Sequence, residues 1–260
     1  MPIDKINDTS FSAIAEANDT LKASIANVIG VDAPSSVQDI VFADQTSGGY
    51  SGPWNTTTPY AAPLPSTASS GDFVMLLFSV DMPVNFDVTT TPTGWTKQVF
   101  VGNSSSDVHC MVFTRELDGT EGSTVNLFPI FSGFSFKMLS FSFICENIDT
   151  TSPIGANATE IDTVGTGMTI PAATSGTAGS FIVFVGYDGA DGLPITMTNN
   201  GGFTLTTGQS LNEPTSGGGS GVSSQWRYAA IPATTSTGTT SVTFSGTDGK
   251  VGIHLLLQRV

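Results

Sequence analysis

The side chains able to do chemistry in this chain are few and scattered. Two histidines occur, His109 and His254, each inside an apolar, strand-like run. Catalysis or metal ligation needs a second, convergent polar group beside an imidazole, so a satisfied core histidine is the expected role of both. The sequence has no His-Glu-x-x-His, no Cys-x-x-Cys, no phosphate-cradling loop and no Gly-x-Ser-x-Gly elbow between a strand and a helix. Acids are plentiful, but nothing singles out a pair for acid–base work. The chain therefore reads as non-enzymatic. One segment, Asp188-Gly189-Ala190-Asp191-Gly192, sets two carboxylates, Asp188 and Asp191, on a glycine-rich turn suited to a hard cation such as calcium. The competing reading is an ordinary Asp-Gly turn. Trp54 and Tyr60 fall in a Gly/Pro-rich stretch, 48–70, read as a long loop, and are the candidate ligand contacts. Trp95 and Trp226 belong to strands and are expected to pack sheets.

The elements that must carry these residues follow from composition. Charged residues make up only 12% of the 260, yet 17 Phe and abundant Thr, Val and Ile separate the chain from disordered ones. That mixture suits half-buried pleated surfaces, and 29 Gly with 14 Pro supply turns between short strands. Strand-like runs stand out at 37–43, 72–80, 95–101, 108–117, 136–148, 181–187, 203–210, 222–231, 241–244 and 251–260, with weaker ones at 125–128, 158–163 and 168–170. Runs 73–78 and 181–185 are continuously apolar, as central strands covered on both faces would be. The fold class expected is all-β: a two-sheet antiparallel β-sandwich, jelly-roll-like, spanning 37–260. Cys110 and Cys145 sit in apolar strands and read as buried free thiols.

Residues 1–36 differ. Asn7-Asp8-Thr9 and Asn18-Asp19-Thr20 stand 11 residues apart, each before an Ala-rich stretch, and Ile29-Gly30-Val31 falls in phase with them. Each triplet offers a helix N-cap, so this segment is expected to be a short, partly helical arm. Phe11, Ile14, Ile25 and Val28 are too widely spaced to form a core alone and are the expected docking residues. Burying them against a partner could contribute on the order of 6–10 kcal/mol before ordering costs. The net charge of −14 repels phosphate backbones and anionic lipid, so neither nucleic acid nor membrane is an expected partner. No apolar run is long enough to cross a membrane as a helix, and the N-terminus lacks the basic lead and apolar core of a secretory signal.

Two resemblances bear on function. The Lys5-Ile6-Asn7 start, the Asn-Asp-Thr triplets and the Ser-Ile-Ala steps look like N-terminal repeats of virion proteins from phages of aquatic bacteria. Residues 38–260 resemble a β-sandwich domain of phage tail, appendage and minor structural proteins. That likeness is carried by Gly71-Asp72-Phe73-Val74-Met75, Pro92-Thr93-Gly94-Trp95-Thr96, Val112-Phe113-Thr114-Arg115-Glu116-Leu117-Asp118-Gly119, Ile148-Asp149-Thr150-Thr151-Ser152-Pro153-Ile154, Ala178-Gly179-Ser180-Phe181-Ile182-Val183-Phe184 and Gly202-Phe203-Thr204. The later Pro-x-Gly-x-Thr motif is eroded to Asn199-Asn200-Gly201-Gly202-Phe203-Thr204. The resemblance implies a virion component, a homo-oligomer bound to other phage structural proteins through its arm, with no catalytic residues and no required cofactor. Capsid decoration, head fibre, tail fibre and tail tip remain open, as does a module that binds a host-surface glycan.

Overall fold

The computed structural model describes residues 39–54, 57–82, 89–102, 105, 107–129, 134–174, 178–189, 195–213, 221–232 and 236–260. The chain divides into two units at Gln38/Asp39. The expected helical arm, with Phe11, Ile14, Ile25 and Val28, lies outside the described residues.

The second unit is all-β, and its strands fall into two successive sets. The first contains β1 (Val41–Trp54), β2 (Tyr60–Pro63), β3 (Phe73–Asp81), β4 (Thr96–Gly102), β5 (Val108–Glu116), β6 (Thr124–Leu127) and β7 (Phe134–Glu146). The second contains β8 (Ile154–Asp162), β9 (Gly167–Ile170), β10 (Ala178–Asp188), β11 (Thr196–Asn199), β12 (Thr206–Glu213), β13 (Val222–Ala230), β14 (Thr240–Thr243) and β15 (Lys250–Gln258). Each set builds one five-stranded antiparallel sheet, ordered β1-β7-β3-β5-β4 in the first and β8-β15-β10-β13-β12 in the second. Under the correspondence β1/β8, β3/β10, β4/β12, β5/β13 and β7/β15, the two orders are the same. The outer pieces agree as well, since β2 pairs with β6 and β9 with β14.

The cross-strand register makes the equivalence residue by residue. Leu77 of β3 lies between Phe141 and Val112. Phe184 of β10 lies between Ile253 and Trp226. Packing between the sheets is reciprocal: β1 lies on β12 and β4 on β8, β7 meets β12 and β4 meets β15, β5 meets β10 and β3 meets β13. Reciprocity of that kind is the mark of an isologous interface, here formed within one chain about a pseudo-twofold axis near β3 and β10. An adjacent pair of contacts fits the same axis. Ser79 Oγ and Ser224 Oγ are 2.6 Å apart and buried. Their equivalents, Gly186 and Cys110, press together so closely that a Cβ on Gly186 would stand 2.6 Å from Cys110 Sγ.

A jelly roll passes strands back and forth between its two sheets. Here each sheet comes from one contiguous half of the chain, so the jelly-roll path is replaced by two like sheets laid face to face. The central layer between them buries Met75, Leu77, Val112, Phe141 and Phe143 against Ile182, Phe184, Trp226, Ile253 and Leu255. Each sheet is then covered on its outer face. Tyr60, Ala62, Val125 and Leu127 cover Val74, Leu76, Phe78 and Phe113 in the first half. Met168, Ile170, Met197, Val242 and Phe244 cover Phe181, Val183, Val185 and Leu256 in the second. β3 is buried along its whole length, which is why its sequence does not alternate.

The stretch 48–70, read as a long loop, holds strand at 48–54 and 60–63. β1 continues through Gly48-Gly49 to Trp54, paired with β7 throughout. Gly48 is needed where β2 crosses over, because a Cβ there would sit 2.8 Å from the Pro63 ring.

Candidate functional site

Among the described residues, the candidate residues do not converge. His254 of β15 is buried, with Nε2 2.8 Å from Thr240 Oγ1 and Nδ1 3.2 Å from Thr237 Oγ1. Asn199 Nδ2 donates to the Thr237 carbonyl at 2.8 Å and to Thr240 Oγ1 at 3.2 Å. The imidazole thus ties the β11–β14 cover to the sheet beneath, and burial pushes its pKa down to about 4, holding it neutral. His109 is buried in β5 and stacks on Phe100, 5.7 Å between ring centres. Both histidines are core residues, as their apolar sequence settings imply.

Tyr60, expected as a ligand contact, is instead only 3% exposed. Its hydroxyl donates to the Gly48 carbonyl at 2.8 Å and lies 2.7 Å from Ser140 Oγ, while its ring stacks on Phe78. β2 is a short strand of alternating burial that Pro59 precedes and Pro63 ends, and prolines at both ends read as loop in the sequence. Trp54 ends β1 opposite Phe134.

 Both free cysteines are buried, and burial pushes each thiol pKa upward. Cys110 and Cys145 lie on β5 and β7, which flank β3, at the levels of Ser79 and Phe73. That separation is beyond the reach of a disulfide.

Asp188 ends β10, and its equivalent Asp81 ends β3. Burial, and then the charges of Asp81, Asp107 and Asp248, raise the Asp188 pKa to about 7. Asp248 also accepts a hydrogen bond from the Tyr187 hydroxyl at 3.1 Å. Asp191, the other half of the expected calcium pair, lies outside the described residues. Among the described residues, no group of three or more His, Cys, Asp or Glu side chains is arranged to hold a metal ion.

A cleft of about 350 Å³ opens on the outer face of the first half. Its apolar floor includes Leu64, Trp95, Val125 and Phe128, and Thr90–Thr93 and Thr124–Asn126 line its sides. Arg115 stands at its rim, ion-paired to Asp118 at 3.0 Å and Glu121 at 2.5 Å, and donates to the Thr93 carbonyl at 3.0 Å. Sequence reasoning missed this cleft. The residues around it are ordinary Thr, Pro and Asn, whose types and spacing carry no signal of a cleft. Comparison of the chain with family models, with curated proteins and with solved structures returned no match.

Proposed function

We propose that this chain is a non-enzymatic structural protein of a bacteriophage particle, attached through residues 1–36 and displaying its β unit as a decoration or fibre component. The observation that carries this reading is where the resembling motifs fall. Asp72-Phe73-Val74 and Gly179-Ser180-Phe181 open the two central strands, while Gly94-Trp95 and Gly202-Phe203 occupy equivalent turns. Gly94 and Gly202 even share a left-handed backbone, with φ of 80° and 83°. Motifs placed at the corners of a scaffold serve its shape rather than a reaction. Polar side chains in the interior do the same work, since His254, Tyr60, Ser79 and Ser224 are spent on joining layers.

The repeat-bearing arm supplies the attachment in this reading, and copies of the β unit in a symmetric oligomer multiply it. The test is deletion of residues 1–33 in a phage that carries this gene. The truncated protein is expected to be made and folded but missing from purified particles. Incorporation at the level of the full chain would sink the docking role.

A further inference from the structure

The two halves fasten their outer covers by different chemistry. By the register that matches Leu77 with Phe184 and Phe141 with Ile253, Ser142 of β7 stands where His254 of β15 does. Ser142 Oγ donates to the Pro63 carbonyl at 2.6 Å, where β2 ends, so the first cover is held by a group that does not titrate. His254 meets the second cover with an imidazole that has no exposed surface. Its Nε2 lies against Thr240, the residue of β14 that pairs with both Ile170 of β9 and Asn199 of β11. Its Nδ1 lies against Thr237, whose Oγ1 also takes the Ala173 amide at 2.9 Å and whose carbonyl takes Asn199 Nδ2 at 2.8 Å. All three cover strands are tied through one ring.

Counting protons shows what that tie tolerates. Thr237 spends its hydroxyl proton on the Gly238 carbonyl at 2.9 Å, so it accepts from Nδ1–H. The neutral ring then has a lone pair at Nε2, to which the Thr240 hydroxyl donates at 2.8 Å. A proton arriving on Nε2 sets two donors face to face. Thr240 Oγ1 already takes Asn199 Nδ2 at 3.2 Å, and to accept from the ring as well it must aim its own proton elsewhere. Charges around the ring offer little compensation. On the same face of the sheet stand Glu160, opposite Gly252, and Arg227, opposite Val183, the partner of His254. Further along, Lys250 and Tyr187 pair across β15 and β10. From the cover, the described residues of β9, β11, β14 and the 171–173 and 236–239 segments bring no charged or titratable side chain.

We infer that His254 is an acid-release latch: a proton taken up by its ring frees the β9–β14–β11 cover from the second sheet, while the first half keeps its cover. Under the closed cover the ring takes that proton only near pH 4, because burial favours its neutral form. A freed cover lets water reach the ring, which then titrates near its ordinary value of about 6.5. Between those two values each pH unit downward favours the freed state by about tenfold, and below about pH 4 the gain stops. Release bares Phe181, Val183, Val185 and Leu256 on the sheet, with Met197 and Val242 on the cover. Acid therefore exposes apolar surface on one half of the unit and not on the other.

The test is hydrogen exchange of the full chain between pH 7 and about pH 4.5, corrected for the intrinsic rate at each pH. Opening of the β14 amides should rise about 100-fold as pH falls by two units from about 6.5. The β6 amides of the first cover, and the β10 amides beneath the second, should change less than about threefold. A flat response at β14 would overturn the latch. An equal rise at β10 would mean that the second half opens as a whole, which overturns release of the cover. His254→Gln keeps an amide that can bond the threonines and takes up no proton, so the pH slope at β14 should vanish. An unchanged slope would pass the effect to another group, Glu160 first, and overturn the assignment. The ring itself provides a check that needs no variant. Its carbon-bound protons should titrate near pH 4 in the folded chain. A midpoint near the ordinary value of about 6.5 would show the ring ionised with its cover closed, and the inference would fall.

Discussion

The two halves of the β unit share a scaffold and differ in how they fill it. Strand order, register and the turn glycines Gly94 and Gly202 agree between them. The side chains at matched positions do not. Trp226 stands where the first half has Val112, Gly186 where it has Ser79, and Ala229 where it has Arg115. The lesson concerns which constraints bind. A pseudo-twofold interface fixes the strand paths, because both sheets must present complementary faces. It leaves volume free to move from one half to the other, provided the sum in the central layer is kept.

The largest test of that exchange is Trp226→Ala. The indole is fully buried, stacked on Phe143 with 4.3 Å between ring centres. Room for it is made by Gly208, where a Cβ would approach within 2.2 Å of the ring. The substitution should cost about 3–5 kcal/mol, against roughly 1–2 kcal/mol for Val112→Ala at the matched position. Urea denaturation of both variants measures the difference. Equal costs would mean that volume is not concentrated in the second half.

A smaller effect probes the axis. Gly186→Ala should destabilise by about 1–3 kcal/mol, because the added methyl meets Cys110 Sγ and Val108 Cγ2. Cys110→Ala removes the first of those atoms. In a double-mutant cycle the pair should therefore lose less than the sum of the single variants. Additive costs would show that the close approach at Gly186 is relieved by movement elsewhere, and that the axis is softer than the packing implies.

How much of this was legible in the sequence depends on the range of the signal. Continuously apolar 73–78 and 181–185 mark strands covered on both faces, and β3 and β10 are those strands. His254 and the two cysteines could be assigned to the core from their neighbours alone. Tyr60 could not, because its hydroxyl is satisfied by Gly48 and Ser140, the second of them 80 positions away. The start of β1 lies in the expected run 37–43, but its continuation was hidden by Gly48-Gly49, which reads as a turn until β2 is seen crossing it. β11 was hidden because Thr196-Met197-Thr198-Asn199 is short and follows Pro194. The duplication left its trace in two motifs, Gly-Trp-Thr at 94–96 and Gly-Phe-Thr at 202–204, too short to align the halves without strand order. As for the cleft, it is lined by Thr90–Thr93 and Thr124–Asn126, stretches far apart in the chain, and nothing local in the sequence marks their meeting.

The smallest expected effect concerns the charge at the ends of the central strands. Asp188 and Asp81 end equivalent strands, and the Asp188 carboxyl is pushed up to about 7, by burial first and then by Asp81, Asp107 and Asp248. A carboxyl with a folded pKa above its unfolded value of about 3.9 binds its proton more tightly in the native state. Its contribution to stability is therefore complete below about pH 4 and is lost as pH rises toward 7. His254 works in the opposite sense. With a folded pKa near 4, it costs stability as pH falls below about 6.5, where the unfolded chain takes up the proton. Comparing variants at two pH values removes the histidine, which is common to both. Asp188→Asn should lie closer to the wild type at pH 5 and gain on it by about 1 kcal/mol at pH 7.5, the solvent-screened remnant of the full shift. Urea midpoints at the two pH values are the measurement. Parallel behaviour would place the proton uptake on another carboxylate of the cluster, and the same comparison with Asp81→Asn would then show whether the first half carries it.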